Sequence, residues 1–429
     1  MIAGEKIEVD ALVVGSGIAG LQTALDMADQ GFSVAIVEKS PSIGGKMISL
    51  SKVFPTLDCA SCITTPRMAS VSHHPRIQAF TYSAVDGIKR EGKTFTAAVT
   101  RKPRYVDEKE CISCKRCEEV CPVCLPDEFE MGLGVKKTIS IPFTNAIPQF
   151  PVMYPEHCIR CGACARVCPK DCIDFLQEPS PLEIKAKAVI LATGYETTPM
   201  TAKKQYGLGN LPNVIAPMAA ERLLAPHGPY GRVLRPSDGK VPDSVAYVQC
   251  AGSRDKSIGV PYCSRVCCMY AIKQATLLTG SLPTADITIY YMDIRAFGKG
   301  YEQFYNSAKA MGISFVKAKV ARVTEDAEHN PIVRIERQEG TSAPEEVKHD
   351  LVVLSQGLIP GCDVSSFNLG ASLNDFGFVK LSDENISSAV TAGAGVFAAG
   401  VVKGPRDIPD SVVDAGSAAI EAANYIRKL

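Results

Sequence analysis

The chain has 429 residues, of which 46% are hydrophobic and 21% charged, an ordinary globular composition rather than a disordered one. Lys plus Arg equals Asp plus Glu at 46 each, and no tract of five like charges occurs, so bulk charge gives no support for nucleic-acid binding. The longest apolar runs, such as AKAVILATG, fall well short of the ~18 residues that a membrane span needs, and MIAGEKIEVDALVVG lacks the pattern of a secretory leader. These features point to a cytoplasmic protein whose membrane association, if any, comes through a partner. Seventeen cysteines then need a reason, because dense and regularly spaced thiols in a reducing compartment read as metal ligands or redox groups.

The first segment reads as strand, glycine turn, helix, strand. VDALVV (9–14) is followed by Gly15-x-Gly17-x-x-Gly20, by a helical pattern closed at Gly31, and by the strand SVAIVE. Such glycines permit a tight turn and let the backbone approach a pyrophosphate at a helix N-terminus. Glu38 ends the second strand, eighteen residues after Gly20, where an acidic residue meets ribose hydroxyls. From 40 to 76 the chain reads as irregular and holds Gly44-Gly45-Lys46 and Cys59-x-x-Cys62. Strands are expected at 77–84 and 94–101. Between 105 and 178 the composition changes abruptly, with ten of the seventeen cysteines and several prolines, as in an inserted module. Sheet character resumes at EIKAKAVILATG (183–194), and 205–240 is rich in loop residues. A second α/β region opens at VAYVQCAGS (245–253). It continues through a helix near 265–280 and strands at 287–294, 314–324, 331–337 and 350–357. GVFAAG (395–400) and a closing helix end the chain.

The insertion carries the strongest signal. Cys111-x2-Cys114-x2-Cys117-x3-Cys121-Pro recurs as Cys158-x2-Cys161-x2-Cys164-x3-Cys168-Pro. Thiolates at this spacing wrap a cubane, and the cysteine before proline serves the other cluster of a two-cluster ferredoxin. One [4Fe–4S] cluster is therefore expected on Cys111, Cys114, Cys117 and Cys168, and a second on Cys158, Cys161, Cys164 and Cys121. Structural zinc is the competing reading, but zinc ribbons use two separated C-x2-C pairs. Cys124 and Cys172 are expected as buried small apolar residues rather than ligands. The loop from Leu125 to His157 would cover the clusters or form a partner face.

The glycine fingerprint, Ala192-Thr193-Gly194 after an apolar strand and T-x5-F-A-x-G at 391–400 together resemble the two-dinucleotide-fold flavoproteins of the thioredoxin-reductase-like group. The fold class expected is therefore α/β, with FAD preferred over NAD. In that group the last motif continues with an Asp that holds the ribityl chain. Val401 stands there instead, and the loop 402–411 is the remaining candidate. The residues assigned to the cofactor are Gly15, Gly17, Ala19, Gly20, Glu38, Lys39, Gly45, Lys46, Ala192, Thr193, Gly194, Gly400, Asp407, Ile408 and Ser411. The expected organisation is an FAD domain in three parts (1–104, 179–240, 356–429), the inserted ferredoxin domain (105–178), and a Rossmann-like lobe (241–355).

That lobe has no second G-x-G-x-x-G. Its first strand runs into Cys250-x12-Cys263-x3-Cys267-Cys268, which spacing alone leaves open between a third cluster and a group of buried free thiols. Here QCAGSRD, PYCSRVCCMYAIKQA, MDIRAFGKGYEQFY, GVFAAGVVKGPRDIPDS and LDCASCITTPRM resemble the A subunit of heterodisulfide reductase and its relatives. The resemblance spans essentially the whole chain. It implies a thioredoxin-reductase-like FAD core with an inserted ferredoxin domain, and a cluster on Cys250, Cys263, Cys267 and Cys268. Methanogen A subunits are longer at both ends. The shorter form is more similar to the A subunit of the quinone-interacting membrane-bound oxidoreductase of sulfate reducers, with relatives in sulfur oxidisers as an alternative. The resemblance thus implies partner subunits, among them a second related flavoprotein and a quinone-reactive membrane subunit. It also implies a link from a quinone pool to cytoplasmic sulfur metabolism, with flavin-based bifurcation or confurcation and a homodimer both compatible.

Cys59 and Cys62 suit a redox dithiol, ligands of a shared cluster, or a structural pair. Lys273, a turn and a half beyond the Cys267–Cys268 pair, is the candidate cation beside the flavin. A stand-alone NAD(P)H oxidoreductase is the rival function, and the missing second fingerprint argues against it.

Overall fold

The computed structural model describes residues 5–338 and 343–429. The first four residues of the expected N-terminal domain lie outside this range. Two sheets organise the chain. The first runs, edge to edge, Ile77–Phe80, Val34–Val37, Glu5–Val14, Ser180–Leu191, Thr94–Arg101 and Ser83–Glu91. Its first four strands are parallel, and Thr94–Arg101 is antiparallel to Ser180–Leu191. The long Ser180–Leu191 strand also carries Val396–Ala398 along its C-terminal half, so the closing segment returns beside the first strand's neighbour. Leu12, Val13, Ile36 and Ile190 have no exposed surface, as expected of parallel strands covered on both faces.

The helices are α1 (Ile18–Asp29), α2 (Ala60–His73), the short α3 (Arg116–Glu119) and α4 (Ala163–Val167), α5 (Pro217–Leu224), α6 (Cys267–Ser281), α7 (Tyr301–Ala310) and α8 (Ile408–Arg427). α1 packs on α8 through small residues, since Ala24, Ala28, Ala415, Ala418, Ala419 and Ala422 share one core cluster. α2 lies in a stretch read as irregular. It carries Pro66 inside the helix and buries only Ala60, Thr64, Met68 and Val71, a stripe too narrow to stand out from a Ser- and Thr-rich sequence.

The second sheet runs Val214–Ile215, Leu351–Gln356, Ser244–Ala251, Asp286–Tyr291, Ser314–Glu325, Pro331–Arg337 and Glu345–Lys348. It corrects the expected boundary at 240. Val214–Ile215 pairs with Leu351–Gln356, and Met200, Tyr206, Leu208 and Leu211 pack into the second lobe. A two-residue edge strand among glycines and prolines leaves no periodicity to read. A small antiparallel pair, Tyr195–Thr197 with Leu358–Pro360, joins the lobes.

The cysteine-rich insertion interrupts the first lobe between Thr94–Arg101 and Ser180–Leu191. It is held by two small antiparallel pairs, Cys124–Pro126 with Val135–Lys137 and Ile139–Ser140 with Val152–Met153, and by the Val106–Ile173 bridge. Its core is built from Val106, Ile139, Met153 and cysteines. So small a module buries few apolar side chains, and bound clusters would supply the missing cross-links.

Among the described residues, no helix is long and apolar enough to cross a membrane. In the second lobe, His349 is buried between the Ser244 hydroxyl (2.7 Å) and the Tyr290 hydroxyl (2.9 Å). Burial holds its imidazole neutral, with a pKa lowered to about 4. A lowered folded value means that stability is present above the unfolded value of ~6.5 and is lost as pH falls towards 4. Urea denaturation should show this site contributing a loss of roughly 2 kcal/mol between pH 7.5 and pH 5, muted in His349→Gln.

Candidate functional site

A cavity of about 740 Å³ opens above the C-terminal ends of the first sheet's parallel strands. Backbone contacts at the glycine turn shape it. Gly15 has φ +101°, and a Cβ there would stand 2.4 Å from the Ala192 carbonyl oxygen. A Cβ on Gly20 would stand 2.0 Å from the Gly15 carbonyl oxygen, so this glycine sets how closely α1 approaches the strand. Gly45 (φ +60°) touches Gly17, and Gly400 (φ +73°) touches Ala19. Gly17 differs: its φ is −67° and a Cβ would meet nothing within 4 Å, because that direction is open.

Of the residues assigned to the cofactor, Gly15, Gly17, Ala19, Glu38, Lys39, Gly45, Lys46, Ala192, Thr193, Gly194, Asp407, Ile408 and Ser411 line this cavity, as does Lys273. Gly20 and Gly400 are not among the lining residues and act through packing. The Glu38 carboxylate is buried and already engaged. It accepts from the Ser16 N–H (2.8 Å), the Ser16 hydroxyl (2.6 Å) and the Ser40 N–H (2.8 Å), bracing the turn as well as facing the site. Lys46 (2.8 Å) and Lys39 (3.6 Å) converge on Glu196 at the lobe junction. Asp407 caps α8 by accepting the Asp410 N–H (2.8 Å), and its other oxygen accepts from the Tyr301 hydroxyl (2.6 Å). The N-terminus of this 20-residue helix faces the cavity through Asp407, Ile408 and Ser411. Its oriented N–H groups favour negative charge there.

The floor is a buried polar cluster. Lys273 and Glu221 are each only 2% exposed at the side chain and form an ion pair in which Gln274 also donates to the same carboxylate oxygen. The other Glu221 oxygen accepts from the Ser51 N–H (3.0 Å) and hydroxyl (2.7 Å) across the lobe boundary. Burial lowers the Lys273 pKa, and Glu221 opposes the shift. Lys273 is therefore half of a pair rather than a lone cation. Glu221 lacked any sequence signal, since it precedes Lys273 by 52 residues in a helix not foreseen. Among the described residues Gln274 Oε1 is buried without a hydrogen-bond partner, and Gln274 lines the cavity, which fits a polar ligand there.

The insertion contributes to this cavity, which its sequence did not suggest. Phe129, Met131, Lys136, Pro142, Phe143 and Tyr154 line it. Phe129 and Phe143 stack with centroids 4.6 Å apart, Arg222 lies over the Phe129 ring at 4.6 Å, and Arg222 pairs with Glu130 at 2.9 Å. The loop expected to cover clusters or meet a partner thus also walls the cofactor cavity.

Within the insertion, Cys121, Cys158, Cys161 and Cys164 line one void, and Cys111, Cys114, Cys117 and Cys168 line another. The partition follows the crossed pattern read from the spacing. Among the described residues, no three His, Cys, Asp or Glu side chains converge closely enough for a single metal ion. The thiols instead surround spaces. Cys117 is pushed up to about 12 by burial, so its thiolate needs a nearby positive group to form. Cys172 is buried in the second set, 3.4 Å from the Cys168 sulfur. Cys124 is a correction: it is exposed, 3.4 Å from the Lys137 ammonium, because its strand lies at the module's surface.

In the second lobe, Cys250 has φ +57° at the irregular end of its strand. A non-glycine residue held there is strained, a feature that clusters at functional sites. Cys263 precedes α6, and Cys267 and Cys268 begin it. Burial raises the thiols of Cys267 and Cys268, the latter to about 12; Cys267 also feels Cys268, Cys250 and Cys263, and Cys268 feels Cys250 and Cys263.

Residues 10–51 match the family model of an FAD binding domain, and 110–173 that of a 4Fe-4S dicluster domain. The thioredoxin reductases of T. acidophilum and Lactococcus lactis share the fold, with TM-scores of 0.55 and 0.56 at 17% and 15% identity, covering 98% of this chain and 99% and 100% of theirs. The molecule is thus an FAD-domain flavoprotein of thioredoxin-reductase-like fold with an inserted iron–sulfur dicluster domain. Three relatives make this specific. The A subunit of the H(2):CoB-CoM heterodisulfide,ferredoxin reductase of Methanothermobacter marburgensis is 43% identical over 98% of this chain and 65% of its own. The second iron-sulfur A subunit of the CoB–CoM heterodisulfide reductase of Methanopyrus kandleri is 47% identical over 98% and 66%. The A subunit of the ferredoxin:CoB-CoM heterodisulfide reductase of Methanosarcina mazei is 41% identical over 96% and 53%. The chain belongs to the heterodisulfide reductase A-subunit family, and it spans 53–66% of the length of these three relatives.

The two glycines separate cofactor contact from packing. Gly17→Val should leave the apoprotein's thermal midpoint unchanged while flavin affinity falls at least ~10-fold, about 1.4 kcal/mol. Gly20→Val should instead fail to fold stably. Flavin titration and thermal denaturation of both variants measure the two effects.

Proposed function

We propose that the chain is the FAD- and iron–sulfur-bearing electron-transfer subunit of a multi-subunit oxidoreductase. When bound, FAD exchanges electrons in pairs and each [4Fe–4S] cluster passes them singly. What carries the reading is the wall shared between the two cofactor regions: the loop of the cysteine-rich insertion lines the cavity shaped by the glycine turn.

Each group then has a task. Gly15, Gly17 and the start of α1 would receive the pyrophosphate, and Glu38 the ribose. The N-terminus of α8, in place of the absent Asp at 401, would face the flavin ring and favour negative charge on it. Lys273, held by Glu221, sets the charge at the cavity floor. Two cysteine sets in the insertion would hold two [4Fe–4S] clusters, and Cys250, Cys263, Cys267 and Cys268 a third. The third set stands where a nicotinamide nucleotide would otherwise bind, so electrons would enter or leave this lobe by relay rather than as hydride. Donor and acceptor are then partner subunits, and the family implies them. The arrangement proposed is a second related flavoprotein and a quinone-reactive membrane subunit, joined to cytoplasmic sulfur metabolism with flavin-based bifurcation or confurcation.

The experiment is anaerobic reduction of the purified chain followed in the visible spectrum. Dithionite should bleach the flavin and the broad iron–sulfur absorbance. NADH and NADPH should leave both unchanged over minutes. Rapid bleaching by either nucleotide would restore a nucleotide site to the second lobe and overturn the relay.

A further inference from the structure

Cys59 and Cys62 remain outside the proposed electron path. Cys59 is the N-cap of α2, and its sulfur accepts the Cys62 N–H at 3.2 Å. Cys62 occupies the third helical position, so the two share one face of the first turn. Residues three apart on a helix stand roughly 5–6 Å apart, close to the Cα spacing that a disulfide bridges. Cys62 is exposed and Cys59 half-buried, so the pair is not a filler of the core. The peptide is also tied to the cofactor cavity. Cys59 bridges Lys52, the Ala60 N–H donates to the Ser51 carbonyl (3.4 Å), and Ser51 holds Glu221. Lys52, Val53 and Phe54 line the cavity on the inner side of the same loop.

We propose that Cys59 and Cys62 form a redox-active dithiol that exchanges with low-molecular-weight disulfides from solvent. The roles within the pair follow from their positions. Cys59 sits where the helix N-terminus favours a thiolate, and its pKa is lowered, first by a hydrogen bond from the Cys62 thiol and further by the Cys62 N–H. The Cys62 thiol is raised because it donates its proton toward the Cys59 sulfur, which makes it the resolving member. The Cys59 thiolate attacks one sulfur of a disulfide R–S–S–R. The R–S–S–R bond breaks, a Cys59–S–S–R bond forms, and the first RS⁻ leaves and takes up a proton. Cys62 loses its proton and attacks the Cys59 sulfur, releasing the second RS⁻, which that proton neutralises. One disulfide is reduced to two thiols and the dithiol is oxidised to a disulfide, with two electrons and two protons accounted for. The inference is independent of how many clusters the chain holds.

Oxidised glutathione added anaerobically to the full-length holoprotein, followed by acid quench, alkylation and trypsin, tests it. The tryptic peptide Val53–Arg67 contains these two cysteines and no other. It should become disulfide-linked in proportion to oxidant and revert with dithiothreitol. Cys62→Ser should accumulate glutathione on Cys59. Cys59→Ser, which keeps an N-cap oxygen, should react at least ~10-fold more slowly. Iron and flavin counted on the same samples should be unchanged in both variants. Full alkylation of both thiols at every oxidant level, or glutathionylation of Cys59→Ser at the wild-type rate, would overturn the proposal. A loss of about four irons in either variant would also overturn it, by making the pair cluster ligands.

Discussion

A carboxylate and an ammonium, both withdrawn from water, hold the floor of the cofactor cavity. Glu221 comes from α5 and Lys273 from α6, and Ser51 of the first lobe supplies two hydrogen bonds to the same carboxylate. Such a pair is weak evidence of stability, because desolvation offsets most of the attraction. Breaking it by removing one partner costs about 3–5 kcal/mol, since a buried charge is left alone. Its value here is positional. It fixes the lobes against each other at the point where the cavity must keep its shape, and it fixes the charge that a flavin would meet.

The insertion follows a similar logic at its own scale. Ten cysteines in a module with few apolar residues cannot make a core of ordinary strength. Buried thiols resist ionisation, so a cation-bearing group that binds them as thiolates contributes folding energy as well as redox chemistry. The module then reaches outward. The Phe129–Phe143 stack and the Arg222–Glu130 pair dock its loop on the cavity wall, so the two cofactor regions share side chains rather than merely a polypeptide. In the second lobe, Cys250 is held in the left-handed region at the irregular end of its strand.

What was legible in the sequence was whatever depends on spacing along the chain. The glycine turn, the strands around Ala192 and Phe397, the two groups of four cysteines that line separate voids, and a helix near 265–280 are local patterns. What was not legible depends on approach from far away. Glu221 has meaning only against Lys273 and Ser51, and the cavity-facing loop of the insertion only against α5. Val214–Ile215 is too short to alternate, and α2 presents too narrow an apolar stripe in a polar sequence. Cys124 looked like a buried thiol by type, yet a surface strand exposes it. Lys273 was singled out as a lone cation, and its counter-charge came from a helix without a distinctive pattern.

The central claim is that thiols have replaced a nucleotide site while the flavin site was kept. The most direct measurement is the content of iron, acid-labile sulfide and flavin after anaerobic purification of the chain. Three clusters require about twelve irons and twelve sulfides for each FAD, at four of each per cluster. A ratio near twelve is the result expected. A ratio near eight would contradict it, leaving Cys250, Cys263, Cys267 and Cys268 as buried thiols and the second lobe without its relay.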